Sequence, residues 1–383
     1  MVSRRCFIVA LAALAMAFVW QALTIHYNYG GNWTALFFTG DQGPPVPPAL
    51  AAHTFVILHS PGYDGYQYRY MAHDPLLLKG YDRYLDSPRL RYRRILVPAL
   101  AWALALGHSR AIDAAYIGLV LLSVFLGVLW CAEYFEDLKA PPSFGLLFLL
   151  VPATVTSVDR MVLDGTLAAL AAGYFLADLR GNRKSRWSIA ALAGLVKETG
   201  LAFTLAAVIA DLWRRQYRRA AVSATSAIPA LAWFGYVETR ARASEPVRIL
   251  NVPFVGIIQR IFTMRNLPDP LLQSAFRAVD LVAILGYAIT LWLAWRWIRK
   301  DGLSATTVAV ALFLALAAIL GEPTHMKDAY GYGRPVSPLL LYVILRAAAS
   351  RRWGQLAAPL AVTFSILVYF VKPFLGILHG ILS

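Results

Sequence analysis

Cysteine and charged residues are scarce in this chain. It has two cysteines in 383 residues, Cys6 and Cys131, and both lie in or beside apolar segments. Cysteines placed in this way do not build a disulfide framework or a metal-ligand spacing, so we assign them to packing. Only 15% of the residues are charged, 59% are hydrophobic, and the mean hydropathy is +0.56. This composition predicts a polytopic membrane protein.

Acidic residues are fewer than basic ones, 21 against 36, which gives a formal net charge of +15. A basic balance of this size can indicate nucleic-acid binding, but the arginines occur in short clusters between apolar segments. We interpret these clusters as topology signals and contacts with membrane lipids, and we expect no nucleic-acid partner. The sequence also lacks a glycine-rich phosphate loop and a nucleotide-binding fingerprint, which argues against direct use of a sugar nucleotide.

The N-terminus predicts the orientation of the chain. Arg4 and Arg5 precede an apolar run to about residue 25 that is too long for the core of a cleaved signal peptide. We therefore predict an uncleaved first span entering from the cytoplasm, followed by a large extracytoplasmic loop at 27–110. Within this loop, 95–107 is apolar but rises only about 20 Å as a helix, against a hydrocarbon core of about 30 Å.

Four basic clusters test this orientation, because positively charged loops tend to stay in the cytoplasm. All four are cytoplasmic only if 95–107 is a juxtamembrane or re-entrant helix. The alternative, a full crossing at 95–107, would move the first of them outside. The clusters are 180–186, 214–219, 296–300 and 351–352.

The sequence thus predicts an all-α fold, a single membrane domain with about eleven transmembrane helices and an outer C-terminus. We divide it into the loop 27–110, a core at 111–220 with broken helices, and C-terminal helices at 221–383. After the first span, the predicted crossings are 111–132, 143–157, 164–179, 188–196, 199–213, 220–238, 278–297, 303–320, 338–350 and 354–372.

Charged residues that are costly inside a bilayer fall between the short apolar segments. Asp159 and Asp164 lie between the helices of the first short pair, and Lys197 and Glu198 lie at the break in the second. The nine residues 188–196 rise only about 14 Å, so Lys197 and Glu198 should lie near mid-membrane depth or in a cavity that opens outward. Two interpretations stay open: a mutual ion pair that holds a broken helix, or a role in binding a ligand.

The first loop concentrates tyrosines, carboxylates and an arginine in one short stretch. In Tyr63-Asp64-Gly65 the glycine permits a tight turn that exposes the aspartate. Asp74-Pro75 is typical of a helix N-cap followed by proline at the first helical position. Asp64 is our first candidate for a catalytic carboxylate and Asp74 the second, and each has a structural alternative as a turn or cap residue.

Together these segments resemble bacterial integral-membrane glycosyltransferases of the GT-C type, and most closely a group linked to cell-surface glycopolymer formation. The likeness covers roughly residues 1–215. The group has glutamine directly after Asp-Gly, where this chain has Tyr66 and then Gln67. The segments that carry the resemblance are Asp64-Gly65, Asp74-Pro75, YRRILVPALAW at 92–102 and LVKET at 195–199.

The resemblance implies a GT-C-like domain, a polyprenyl-phosphate sugar donor, a glycan or glycolipid acceptor, and transfer on the extracytoplasmic face of the bacterial inner membrane. Such a transfer needs a carboxylate to take or orient the hydroxyl proton, and cations to stabilise the departing phosphate. A divalent cation, Mg²⁺ or Mn²⁺, is compatible with this chemistry but is not required by it. The competing function is a transporter or flippase of a lipid-linked or anionic substrate, which broken helices also suit.

The candidate site residues follow from this chemistry. Arginine offers paired donors to phosphate oxygens, although arginines before 95–107 can also snorkel to lipid headgroups. The predicted donor-phosphate residues are Arg91, Arg93, Arg94, Lys197 and Arg334. The predicted substrate cavity is lined by Tyr63, Gln67, Tyr68, Asp159, Asp164 and Glu198. No dedicated metal centre is expected, because the outer-loop histidines lack zinc-site spacing: His53, His59, His73 and His325.

Overall fold

The computed structural model describes residues 3–243, 252–262, 270–321 and 329–382; His325 lies outside these ranges. It is 78% helical, which confirms the all-α class. The only strands in the described ranges are β1 (Thr39–Gly40) and β2 (Val56–Ile57) of the first loop. They pair in parallel, with Thr39 opposite Val56 and Gly40 opposite Ile57.

The described part of the chain holds nineteen α-helices. Those of the first half are α1 (Arg4–Tyr29), α2 (Pro48–Ala51), α3 (Gly65–His73), α4 (Pro88–Tyr92), α5 (Leu96–Leu104), α6 (Ser109–Asp137), α7 (Pro152–Arg160), α8 (Asp164–Leu179) and α9 (Arg183–Val196). Those of the second half are α10 (Leu201–Trp213), α11 (Tyr217–Ala224), α12 (Ile228–Arg240), α13 (Val255–Phe262), α14 (Pro270–Asp301), α15 (Ala305–Ile319), α16 (Ala329–Tyr332), α17 (Ser337–Ala349), α18 (Ala357–Leu367) and α19 (Val371–Leu382). Short 3₁₀ segments occur at Trp33–Phe37, Tyr81–Tyr84, Pro142–Leu150, Glu198–Gly200, Thr225–Ala227, Trp353–Leu356 and Val368–Phe370.

Five helices of the described chain are long and apolar enough to cross a membrane, so the protein is membrane-embedded. A sixth crossing exists if Pro142–Leu150 and α7, which meet at 64°, form one span. The remaining predicted crossings correspond to helices of 13 to 16 residues, about 20 to 24 Å long. The five long spans are Arg4–Tyr29, Ser109–Asp137, Tyr217–Arg240, Gln273–Asp301 and Trp353–Leu382.

Two of the short helices form the centre of the bundle. In α8, 13 of 16 residues are buried, and in α17, 11 of 13 are buried. A helix that is apolar and buried on all sides is typical of a protein interior. Because α8 packs against α6 and α17, its apolar character reflects contact with protein more than contact with lipid.

Ion pairs join the helix turns at one end of the bundle. Arg180 pairs with Glu133 at 2.7 Å and with Asp137 at 2.6 Å, and Arg186 pairs with Asp178 at 2.7 Å. These residues lie in the predicted cytoplasmic segments or at the helix ends beside them. The first loop contacts the opposite ends of the helices, which are predicted to be extracytoplasmic.

The segment 95–107 contains only the nine-residue helix α5, about 14 Å long. It packs against α3 and α6, and it is too short to cross a hydrocarbon core of about 30 Å. That this segment does not cross fully stays a prediction, and the shortness of α5 supports it.

Candidate active site

The N-terminus of α3 positions Asp64. Asp64 occupies the N-cap position, but its side chain makes no capping hydrogen bond and is available for other partners. Gly65 has an ordinary helical φ, so it is not needed for the tight turn expected from the sequence. Instead, a Cβ at Gly65 would lie 2.1 Å from the carbonyl oxygen of Arg160. The glycine is required because α3 begins against the last turn of α7.

Two guanidinium groups hold the Asp64 carboxylate. Arg91 Nη1 lies 3.0 Å from Oδ1, and Arg334 Nη1 lies 2.9 Å from Oδ2. Burial alone would raise the pKa of Asp64, but the charges of Arg91 and Arg334 more than offset it and hold the pKa well below its usual range. Asp64 is therefore ionised at neutral pH, with a cation at each oxygen.

Asp164 connects this pair to the break between α9 and α10. Lys197 Nζ donates to Asp164 Oδ1 at 2.7 Å, and Arg334 Nε lies 3.5 Å from Asp164 Oδ2. Asp164 and Lys197 are both buried, with side chains 3% and 8% exposed. Asp64, Arg334, Asp164 and Lys197 thus form one continuous chain of charges drawn from four separate parts of the sequence.

Glu198 pairs with Arg94, whereas its sequence neighbour Lys197 pairs with Asp164. Arg94 donates from Nε and Nη2 to the two Glu198 oxygens at 2.9 and 2.6 Å, and from Nη1 to Tyr68 Oη at 3.0 Å. The alternative of a mutual Lys197–Glu198 ion pair is therefore wrong. Lys197 has an extended backbone, with φ −159° and ψ 146°, and successive side chains in such a backbone point to opposite sides.

Of the cations that contact Asp64 or Asp164, Arg334 is the one with buried nitrogen atoms that lack a hydrogen-bond partner in the described chain. Its Nε and Nη1 lie near carboxylates, but no acceptor in the described chain meets hydrogen-bond geometry at either atom. Its guanidinium carbon also lies 5.1 Å from the centre of the Tyr63 ring, a cation–π contact. The side chain is only 8% exposed, so it presents buried donors that an anionic group could accept.

Asp86 belongs to the site although the sequence did not single it out. Arg91 donates to both Asp86 oxygens at 2.9 and 2.8 Å, and the Gln67 amide donates to Asp86 Oδ2 at 2.9 Å. Burial raises the Asp86 pKa, but hydrogen bonds from Arg91 and Gln67 lower it below its usual value. The sequence signal was its position just before Ser87-Pro88, at the start of the arginine-rich α4.

Asp159 lies beside this cluster. It pairs with Arg160 at 2.7 Å and accepts from Tyr330 Oη at 3.3 Å. The Tyr330 ring packs against Tyr63 at 5.9 Å, and so joins Asp159 to the Arg334 side of the site. Arg160, which was not a candidate, stacks over Phe38 at 3.3 Å.

Two predicted residues lie elsewhere. The Asp74 carboxylate accepts backbone N–H groups of Leu78, Lys79 and Tyr81 at 2.7 to 3.1 Å, so its oxygens are used in a turn. Asp74 ends α3 and caps no following helix, which makes the N-cap prediction wrong. Arg93 pairs instead with Glu238 of α12.

The described residues contain no group of three or more histidine, cysteine, aspartate or glutamate side chains arranged to hold a metal ion. At Asp64, guanidinium groups already face both oxygens. The donor set of this site therefore suits an anion better than a divalent cation.

The site contains four carboxylates and four cations in contact, so its formal charges balance.

No family model, curated protein or solved structure matches this chain. The fold and the site define a membrane-embedded all-α protein with a cluster of charges at one end of its helices; four members are buried, three are partly buried, and Asp86 is exposed. We call the members of this cluster the charge cluster: Asp64, Asp86, Arg91, Arg94, Asp164, Lys197, Glu198 and Arg334.

Proposed function

We propose that this protein is a membrane glycosyltransferase that moves a sugar from a polyprenyl-phosphate donor to a glycan or glycolipid acceptor. Transfer takes place on the extracytoplasmic face of a bacterial inner membrane. One observation carries the proposal. Asp64, from the first loop, contacts Arg334; Arg334 also lies near Asp164, and Asp164 pairs with Lys197. A carboxylate beside buried cations meets both needs of transfer from a lipid phosphate.

In the proposed reaction the acceptor hydroxyl attacks the anomeric carbon of the donor sugar. A glycosidic C–O bond forms, the bond from the anomeric carbon to the phosphate oxygen breaks, and the lipid phosphate leaves with the electron pair. Asp64 takes the hydroxyl proton. Arg334 and Lys197 stabilise the charge that develops on the phosphate.

The ion pairs of Asp64 impose an order on this reaction. Before the donor binds, Arg91 and Arg334 keep the Asp64 pKa low, and a carboxylate of low pKa is a weak base. A phosphate that draws either guanidinium group away raises the pKa of Asp64. Donor binding would thereby prepare the base for the acceptor.

We further propose that the short helices complete about eleven crossings. The contacts at their ends support this. Helix α8 begins at Asp164 in the charge cluster and ends beside Arg180 at the opposite end. Helix α17 follows Arg334 and ends near Arg346, which pairs with Asp301. Helices α8 and α17 therefore each extend from the charge cluster toward the opposite end of the bundle, as crossing helices would.

Cysteine labelling tests the orientation. Ser109→Cys should react only with a reagent added outside the cell, because the first loop is proposed to be extracytoplasmic. Ser350→Cys, exposed at the other end, is the matched control and should react only from the cytoplasm. Cys6 and Cys131 are both buried, which keeps the background low. Labelling of Ser109→Cys from the cytoplasm alone would invert the proposed orientation.

Loss of either cation should weaken use of the lipid-linked donor. Lys197→Gln and Arg334→Gln each remove a charge-assisted hydrogen-bond donor, contributing about 1.5 to 3 kcal/mol, so we expect a loss of about 10- to 150-fold in kcat/KM. The assay uses purified protein in liposomes with a labelled polyprenyl-phosphate sugar and the cell's own acceptor. Neither variant should acquire activity with a sugar nucleotide.

The matched control for Arg334→Gln is Arg186→Gln. Arg186 has the same side-chain exposure, 8%, and also lies between two aspartates, Asp178 and Asp211, but at the opposite end of the bundle. It should lose stability without a selective loss of donor use. Movement of the intact labelled lipid between leaflets, with no covalent transfer and abolished by Lys197→Gln, would replace the glycosyltransferase with a transporter.

A further inference from the structure

A cavity of about 960 Å³ lies between α1, α6 and the first loop. It is separated from the charge cluster by α3. Asp64 and Tyr68 face the cluster, whereas Arg69 and His73, four residues apart on another face of α3, line the cavity. The cavity takes no part in the proposed sugar transfer.

A rigid group of polar side chains forms one wall of this cavity. Arg69 donates to both oxygens of Asp113 at 2.9 to 3.0 Å, and its Nη1 donates to Thr54 at 2.7 Å. His73 Nε2 lies 3.0 Å from Asp113 Oδ1. Arg69 and His73 are both buried, so this wall is built into the fold and does not depend on mobile surface side chains.

The charge of the lining favours an anion. Among the described residues, Asp113 is the only carboxylate that lines the cavity, and Arg69 already neutralises it. Arg110 also lines the cavity, is exposed, and has no acidic partner in the described part of the chain. The arginines and the aspartate of the lining therefore give an excess of one positive charge, supplied by Arg110.

The opposite end of the cavity is apolar. Phe18 of α1, with Ile117 and Leu121 of α6, lines it there. From Ser109 at one end to Leu121 at the other, α6 rises about 18 Å. Both α1 and α6 are long enough to span a membrane, so this apolar end lies along helices that contact the hydrocarbon core. A ligand that fits both ends has an anionic head and an apolar chain.

We propose that this cavity binds an anionic membrane phospholipid, with its phosphate at Arg110 and the first part of an acyl chain against Phe18 and Leu121. The phospholipid occupies the face of α3 opposite Asp64. This inference does not depend on the proposed sugar transfer, because it concerns other residues and is tested by lipid binding alone.

Gly118 offers a way to close the cavity without disturbing the packed core. It lines the cavity, and a Cβ there would meet nothing within 4 Å. Gly118→Trp should therefore fill the space beside Ile117 and exclude an acyl chain. Gly235 of α12 is the matched control, since it is also helical, exposed and open to a Cβ but lies outside the cavity.

The experiment measures lipid binding to purified, delipidated protein. Phosphatidylglycerol and phosphatidylcholine of the same chain length are titrated, with native mass spectrometry and the thermal midpoint as readouts. Wild type should prefer phosphatidylglycerol. Arg110→Gln should weaken that binding about 10-fold by removing one charge-assisted contact. Gly118→Trp should abolish it, and Gly235→Trp should bind as wild type does.

Equal binding of the two lipids, or unchanged binding of phosphatidylglycerol in both Gly118→Trp and Arg110→Gln, would overturn the proposal. Retention of a polyprenyl phosphate in preference to phosphatidylglycerol would also overturn it. Because Arg110 is exposed and unpaired in the described chain, Arg110→Gln should fold normally. Arg110→Gln therefore still tests the proposal if Gly118→Trp does not fold.

Discussion

Asp64→Asn should lower sugar transfer by about 10²- to 10⁴-fold, the effect expected when a positioned general base is lost. Asparagine keeps the shape of the side chain and removes its charge and basicity. The measurement is the single-turnover rate with saturating lipid-linked donor in liposomes. Under those conditions weaker donor binding does not contribute to the loss.

Asp86→Asn is the matched control. Both aspartates contact Arg91, but only Asp64 also contacts Arg334. Asp86→Asn should therefore loosen Arg91 and raise KM with little change in the single-turnover rate. If Asp86→Asn lowers that rate as much as Asp64→Asn does, Asp64 acts only as part of the ion-pair network and is not the base.

The pH dependence of stability gives an independent check on Asp64. Its folded-state pKa is lowered, so its pairing stabilises the protein above the unfolded pKa of about 3.9 and is lost as the pH falls through the folded pKa. The stability difference between wild type and Asp64→Asn should hence be constant from about pH 8 to 5 and shrink only in stronger acid. A difference that disappears near pH 6 would contradict the low pKa.

The helices were predictable because long apolar runs specify them almost alone. Runs such as 6–25 and 111–132 match spanning helices within a few residues. The 13- to 16-residue helices were also located, but hydropathy cannot distinguish an apolar helix enclosed by protein from one exposed to lipid. The number of crossings therefore depends on packing that sequence reading does not reveal.

Some site residues could be predicted because a charge between apolar segments is costly in a bilayer. Lys197 was identified because it lies between two half-length apolar segments. Arg334 was identified as an arginine that could bind the donor phosphate. Their partners were not predictable, since the contact between Asp64 and Arg334 joins positions 270 residues apart. The end of α4 separates the arginines: Arg91 and Arg94 face the cluster, whereas Arg93, in the turn between them, faces Glu238.

Asp164→Asn should destabilise the protein more than any other single change in the charge cluster, by about 3 to 5 kcal/mol. The Asp164 side chain is 3% exposed and contacts both Lys197 and Arg334. Its neutralisation leaves two buried cations without this counter-charge. Reversible unfolding in mixed micelles measures the loss of unfolding free energy.

Asp137→Asn is the control for this measurement. Asp137 also pairs with an arginine, Arg180, but its side chain is 31% exposed, so its loss should cost at most about 1 kcal/mol. The double variant Asp164→Asn with Lys197→Gln should recover part of the stability, because it removes a buried charge together with its partner. If the losses of stability in Asp164→Asn and Lys197→Gln simply add in the double variant, the two residues are not energetically coupled. The charges from Lys197 through Asp164 to Arg334 and Asp64 would then not act as one unit.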